Sequence, residues 1–227
     1  MAIKETGPAE GWLEIDRWSG GVGWIAYPDE TMQRASHLLA VDGDVWVVDP
    51  VDIPDLDDLV AEFGTLRGVV LLLDRHKRDA TAVANRHDVP VYLPDGMEGS
   101  AGAVNAPVER FLDGLPDTGY TTIEVVNNRF WQEFALYDGE SGTLVIPEAV
   151  GTTPYFELRE RNLGVHPVLR LWPPRKSLHG LRPERILVGH GEGVFEDAAP
   201  ALRTALAVAR RSAPKLYARA AWRLLTS

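Results

Sequence analysis

Apolar positions recur along this chain with two periods, and the period switches several times. Residues 11–27, "GWLEIDRWSGGVGWIAY", alternate loosely about Gly20-Gly21 and predict two strands. "SHLLAVDGDVWVVDP" predicts a strand over His37–Val41, a two-residue turn containing Gly43 and a strand over Val45–Val48. In "DIPDLDDLVAEFG" the spacing becomes helical: Leu56, Leu59, Val60 and Phe63 share a face, Asp55 stands at the N-cap and Gly64 ends the run. "LRGVVLLL" is continuously apolar, as a strand buried on both faces would be. "RDATAVANRH" then reads as a helix and "VPVYLP" as a strand. Residues 40–93 are therefore expected to run β-turn-β-α-β-α-β.

Between Gly96 and Pro116, Gly and Pro interrupt any pattern and no element is predicted. "YTTIEVV", "FWQEFALYD" and "GTLVIPE" predict three more strands, the last two joined by the turn "DGESG". "TPYFELRERNLG" reads as a helix and "VLRLWPPRKSLHGLRP" as a basic, Pro-broken stretch. "RILVGHGEGV" is a strand entering a Gly-rich turn. "FEDAAPALRTALAVARRS" is an amphipathic helix with Leu202, Leu206 and Ala209 on one face. The tail "PKLYARAAWRLL" places Lys215, Arg219 and Arg223 about one turn apart. Packing on the domain or on a second copy is its expected role, ahead of a membrane surface. No repeat of fixed period is visible. The reading is one domain over 1–227, with a C-terminal helical tail from about 213 to 227.

Composition narrows the partners. A net charge of −10 disfavours free nucleic acid and anionic membranes. The absence of cysteine excludes disulfides, thiolate zinc sites and a Cys nucleophile. There is neither an apolar signal region at the N-terminus nor a run near the roughly 20 apolar residues that span a bilayer. The expectation is a cytoplasmic protein without a transmembrane segment, able to form a homodimer and taking a small anionic molecule as substrate or ligand. No G-x-G-x-x-G, P-loop or G-x-S-x-G is present.

The chemistry concentrates where "VVLLL" ends in Asp74-Arg75-His76-Lys77-Arg78-Asp79. This stretch and three others together resemble the metallo-β-lactamase superfamily over roughly residues 10–210. "LLAVDGDVWVVDP" is similar to the family's hairpin ending in an Asp, here Asp49. "VVLLLDRHKRDATAVA" is similar to the strand and helix around the H-x-H-x-D-H signature. "GTLVIPEAV" is similar to the strand that ends in the bridging Asp, and "PERILVGHGEGV" to the terminal Gly-His-Gly turn. The resemblance implies an αββα sandwich with a metal site at one edge, between the two sheets. It also shows departures. Asp74 stands in place of the first His, His76 keeps the second, Arg78 replaces the Asp, and Asp79 replaces the third His. No His falls near Asn127-Asn128-Arg129. Glu148 stands for the bridging Asp, and His190 keeps the last His.

What this implies is a divergent hydrolase-like site, at most mononuclear. Asp74, His76, Glu148 and His190 would be the metal ligands, Asp79 a further ligand or base, and Arg78 an anion holder. One zinc, manganese or iron ion, or none, would be bound. Two His with carboxylates suit such borderline to hard ions, and a metal-activated water would attack an ester, thioester or phosphoester. The alternative is a non-catalytic protein that keeps the fold and binds a ligand in the old cleft. Outside this set, His37 is expected to be packed or capping and His87 to sit at a helix C-terminus. His166 and His179 are expected to be loop residues, able to enter from a lid but ordinarily solvated.

Overall fold

The computed structural model describes residues 4–5, 7, 9, 11–97, 99, 102–156 and 163–226. Seven strands form the first sheet in chain order: β1 (Leu13–Trp18), β2 (Gly21–Ile25), β3 (Ala35–Val41), β4 (Asp44–Val48), β5 (Thr65–Val70), β6 (Val91–Pro94) and β7 (Val108–Phe111). Neighbours from β1 to β4 are antiparallel; from β4 to β7 they are parallel, which requires crossovers. Helices α1 (Leu56–Phe63) and α2 (Ala80–His87) supply two of these. Asp55 occupies the N-cap of α1 but caps nothing with its side chain, which instead accepts a hydrogen bond from Trp12 Nε1 at 2.8 Å.

The second sheet has the order β13-β10-β9-β8, built from β8 (Thr121–Asn128), β9 (Trp131–Asp138), β10 (Thr143–Ile146) and β13 (Arg185–Val188). A two-stranded ribbon, β11 (Val150–Gly151) with β12 (Gly164–Val165), follows β10. A short helix, α3 (Arg175–Leu178), precedes β13, and α4 (Ala198–Thr226) follows it.

Alternation along the strands explains the layering. Val45, Val47, Val69 and Leu71 pack outward on α1 and α2, among Leu56, Leu59 and Val83. Their neighbours Trp46, Val48, Val70 and Leu72 turn inward to meet Leu136, Val145 and Leu187 of the second sheet. Leu144, Ile146, Ile186 and Val188 face the other way, onto Leu202, Ala205, Leu206 and Ala209 of α4. The continuously apolar strands are thus buried on both faces, and the result is an αββα sandwich. Full burial of a Leu such as Leu206 stabilises by about 2 kcal/mol.

Three local differences from the sequence reading follow. The unassigned stretch contains β7, a short edge strand whose apolar content is too low to stand out. The helix over 195–212 and the tail are one 29-residue helix that passes through Pro214; Ala213 and Leu216 continue its buried face. Of the helix expected over 153–164, residues 157–162 lie outside the described residues, while 153–156 form a turn and Gly164 belongs to β12.

Candidate metal centre

Topology brings three strand ends together. β10 and β13 are parallel neighbours with Ile146 paired to Val188, so the residues two positions beyond, Glu148 and His190, leave the sheet at the same edge. His76 follows β5 of the facing sheet. Its turn is fixed to β9 by the Leu73–Glu133 bridge and by Asp74 N donating to Gln132 O at 3.0 Å. Ligand atoms of His76, Glu148 and His190 all lie within 4.8 Å of one another, and this is the one such group of three among the described residues. The glycines around His190 are required by contact. A Cβ at Gly189 would lie 2.3 Å from Pro147 O and 3.1 Å from His76 Cε1. Gly191 has φ +90°, and a Cβ there would lie 2.3 Å from Thr152 Oγ1.

Both imidazoles are oriented through Nδ1. His76 Nδ1 faces Asp49 Oδ2 at 3.1 Å, and His190 Nδ1 faces Met32 O at 3.0 Å. A proton on Nδ1 leaves Nε2 with its lone pair as the ligand atom, the usual arrangement of metal-binding histidines, although at His76 Arg78 Nη2 also approaches that atom at 3.4 Å. His190 Nε2 is buried without a hydrogen-bond partner. Burial, and then the nearby Arg78 charge for His76 and the His76 ring for His190, hold both pKa values well below the ordinary imidazole range. Both rings are therefore neutral, as ligands must be. Glu148 Oε2 lies 3.8 Å from His76 Nε2 and accepts from Arg75 Nε at 3.2 Å. Two neutral nitrogens and one carboxylate form a donor set that fits a single divalent ion.

A supporting shell was not legible in the sequence. Glu133 is fully buried; its Oε1 accepts the backbone N–H groups of Glu148 and Ala149 at 2.7 and 2.6 Å, and its Oε2 accepts Trp131 Nε1 at 2.8 Å. Burial pushes its carboxyl up to about 7. Asp49, likewise raised to about 7 by burial, joins His76 to the N–H of Leu72 at 3.0 Å. His166 is buried, not a solvated lid residue. Its Nδ1 accepts Val168 N, so Nε2 carries the proton toward Glu148 Oε1 at 3.5 Å. Arg75 lies over the Trp131 ring at 4.0 Å and is the guanidinium on the exposed side of Glu148.

Of the other predicted residues, Asp74 and Asp79 are bonded elsewhere, and Arg78 touches the triad at His76. The Asp74 carboxylate accepts Gln132 N at 3.1 Å, and Asp79 Oδ2 accepts Asp52 N at 2.9 Å. Arg78 spends its guanidinium on the protein: Nη1 donates to Ala35 O and Asp49 O at 2.5 and 2.7 Å, and Nη2 to Gly189 O at 3.0 Å. Nη2 also lies 3.4 Å from His76 Nε2. Asn127 and Asn128 bind Glu124 and Phe130 N, and Arg129 lies against Phe130. His37 is packed, its Nε2 on Val188 O; His87 pairs with Asp57; His179 is exposed.

No protein-family model and no curated protein matches the sequence. Solved structures do match. DIM-1 metallo-β-lactamase exposed to ceftazidime superposes with a TM-score of 0.58 at 11% identity, covering 89% of this chain and 100% of that one. A β-lactamase domain protein from Burkholderia ambifaria gives 0.60 at 16% identity, over 91% of this chain and 74% of that one. TTHA1623 in a di-iron-bound form gives 0.51 at 21% identity, over 72% and 90%. The chain therefore has the metallo-β-lactamase fold.

Proposed function

We propose that this metallo-β-lactamase-fold chain is a divergent hydrolase-like protein that holds one divalent ion (zinc, manganese or iron) between His76, Glu148 and His190. The observation that carries the reading is the buried, unpartnered Nε2 of His190, on a ring that has a ligand atom within 4.8 Å of those of His76 and Glu148 and whose Nδ1 is already engaged. Among small molecules, an anionic ester, thioester or phosphoester suits the site, because Arg75 stands at the exposed side of Glu148.

A bound divalent ion supplies Lewis-acid activation of water. The chain's own residues do the rest. Asp49 holds the His76 tautomer, Glu133 holds the turn that carries Glu148, and His166 holds the second Glu148 oxygen. Arg75 can attract substrate charge, since Arg78 is engaged by carbonyls and contributes fixed positive charge instead of a free fork. The reading draws no ligand from Asp74 or Asp79, whose carboxylates are taken up by backbone N–H groups.

One observation favours a second reading, a binding protein without metal. Arg78 Nη2 approaches His76 Nε2, and Arg75 Nε is bonded to Glu148. Two guanidinium groups thus contact two of the three ligands, and fixed cations oppose a divalent ion. Metal analysis of the purified chain, followed by an ester and thioester panel on metal-loaded and chelated protein, separates the two. Chelator-sensitive turnover lost in His190→Ala supports the hydrolase. Stoichiometric absence of metal after reconstitution supports the binding protein.

A further inference from the structure

Charge in this chain is segregated. Residues 163–183 and 198–227 carry ten of the 23 Lys and Arg and none of the 33 Asp and Glu, leaving 13 basic against 33 acidic residues elsewhere. Net charge alone therefore misrepresents the surface. Residues 167–175 and 206–217 of these segments also lie on one face. Arg175 Nη2 donates to Leu206 O at 2.9 Å, Arg210 Nε to Leu171 O at 2.6 Å, and Tyr217 OH to Pro167 O at 2.8 Å. Between α3 and α4 lies a cleft of about 540 Å³ lined by Arg175, His179, Arg203, Arg210 and Arg211. Arg203 and Arg211 have no hydrogen bond or ion pair among the described residues.

Apolar side chains stand out from the same face. Trp172 is 73% and Val168 67% exposed, and Leu171, Val208 and Tyr217 are exposed beside them. Large exposed apolar groups on a face that also carries two unpaired arginines are costly to leave in water and signal a partner. Its chemistry follows from what the face lacks. A protein surface normally presents both signs of charge, and these two segments, which carry no carboxylate, offer nothing to a partner's Lys or Arg. A bilayer with anionic headgroups presents one sign only and accepts Trp, Leu and Val at its headgroup boundary. The acidic remainder of the chain is repelled by such a surface and would turn this face toward it.

We infer that the face formed by residues 163–183 and α4 docks on an anionic lipid membrane, with headgroup phosphates in the Arg203/Arg211 cleft and Trp172 and Val168 seated among the headgroups. The test is co-sedimentation of the full chain with vesicles of phosphatidylcholine alone and of phosphatidylcholine with phosphatidylglycerol, at low and high salt. Binding is expected only to the phosphatidylglycerol vesicles and should weaken with salt. Arg203→Glu with Arg211→Glu should weaken it at least tenfold. Trp172→Ala should weaken it several-fold and reduce the vesicle-induced blue shift of Trp emission. Thermal melts check that each variant is folded; Lys replacements at 203 and 211 should retain binding. The inference is overturned by binding that is equal on both vesicles or absent from both, by anionic binding undiminished in the folded double variant, or by capture of a single-stranded oligonucleotide or inorganic phosphate without vesicle binding.

Discussion

Glu148 Oε2 and His76 Nε2, on strand ends of opposite sheets, lie 3.8 Å apart, too far to be a hydrogen bond and close enough to share an ion. Each is held from behind, Glu148 by Glu133 and His76 by Asp49. A carboxylate and a neutral imidazole fixed at this separation, with His190 Nε2 unpartnered beside them, form a preorganised donor set. Most of the expected behaviour of the protein follows from what holds these atoms in place.

Asp49 fixes the His76 tautomer. In Asp49→Asn the amide can keep the Leu72 N–H on its oxygen only by turning its NH₂ toward His76 Nδ1. Two donors would then face each other, and a proton moved to Nε2 would meet Arg78 Nη2 at 3.4 Å instead, so the ring should lose its fixed tautomer and orientation as a ligand. Divalent-metal affinity is expected to fall about 10–100-fold, the usual cost of losing an outer-shell partner. Calorimetric titration gives the affinity, and nitrogen NMR of the imidazole gives the tautomer. An unchanged tautomer with unchanged affinity would contradict the assignment.

Arg78 joins three backbone segments through the carbonyls of Ala35, Asp49 and Gly189. Arg78→Ala leaves these acceptors short of donors and is expected to cost about 3 kcal/mol, since charged hydrogen bonds contribute about 1.5–3 kcal/mol each and do not add fully. Arg78→Asp removes the same ties and is expected to melt earlier still. If Arg78→Asp stays as stable as the parent and takes up more Mn(II) or Zn(II), Arg78 is chiefly a stand-in cation, not a structural tie.

Glu133→Gln keeps shape but replaces one acceptor oxygen with a donor, where three N–H groups converge. A loss of about 1–3 kcal/mol is expected, together with weaker metal binding as the turn carrying Glu148 loosens. Denaturant melts and metal titration report the two effects separately.

Asp16 tests pH dependence away from the centre. Burial raises its carboxyl from 3.8 to about 7, against the bond from Gly193 N. The folded chain therefore holds this proton more tightly than the unfolded chain. The stability it contributes is fully present below about pH 3.8 and is lost as pH rises through about 7. In Asp16→Asn, stability should fall less steeply between these limits. Identical slopes for parent and variant would refute the shift.

The sandwich was legible because its signal is local. "GVVLLL" and "TLVI" are buried on both faces, the face of Leu202, Leu206 and Ala209 repeats helically, and "GHG" marks a turn that only glycines can make. Strand β7 and the ribbon β11–β12 were not legible, because short edge strands hold few apolar residues and are defined by partners far along the chain. The site divides in the same way. His76, Glu148 and His190 sit two residues or more past strand ends, where order along the chain predicts convergence. Asp74 lies at a strand end too, but its carboxylate meets the N–H of Gln132. His166 looked like a loop residue, because nothing near it in sequence shows that Trp131, Tyr155 and Phe156 close around it. Glu133 reads as an ordinary polar position in an alternating strand, and only the tertiary fold buries it.

The most direct test of the proposed centre is the metal content of the purified chain after incubation with Zn(II), Mn(II) or Fe(II), measured by elemental analysis beside His76→Ala, Glu148→Gln and His190→Ala. One ion per chain in the parent, lost in each folded variant, is the predicted result. No ion in the parent, two ions, or one ion retained when His190 is removed would contradict the account.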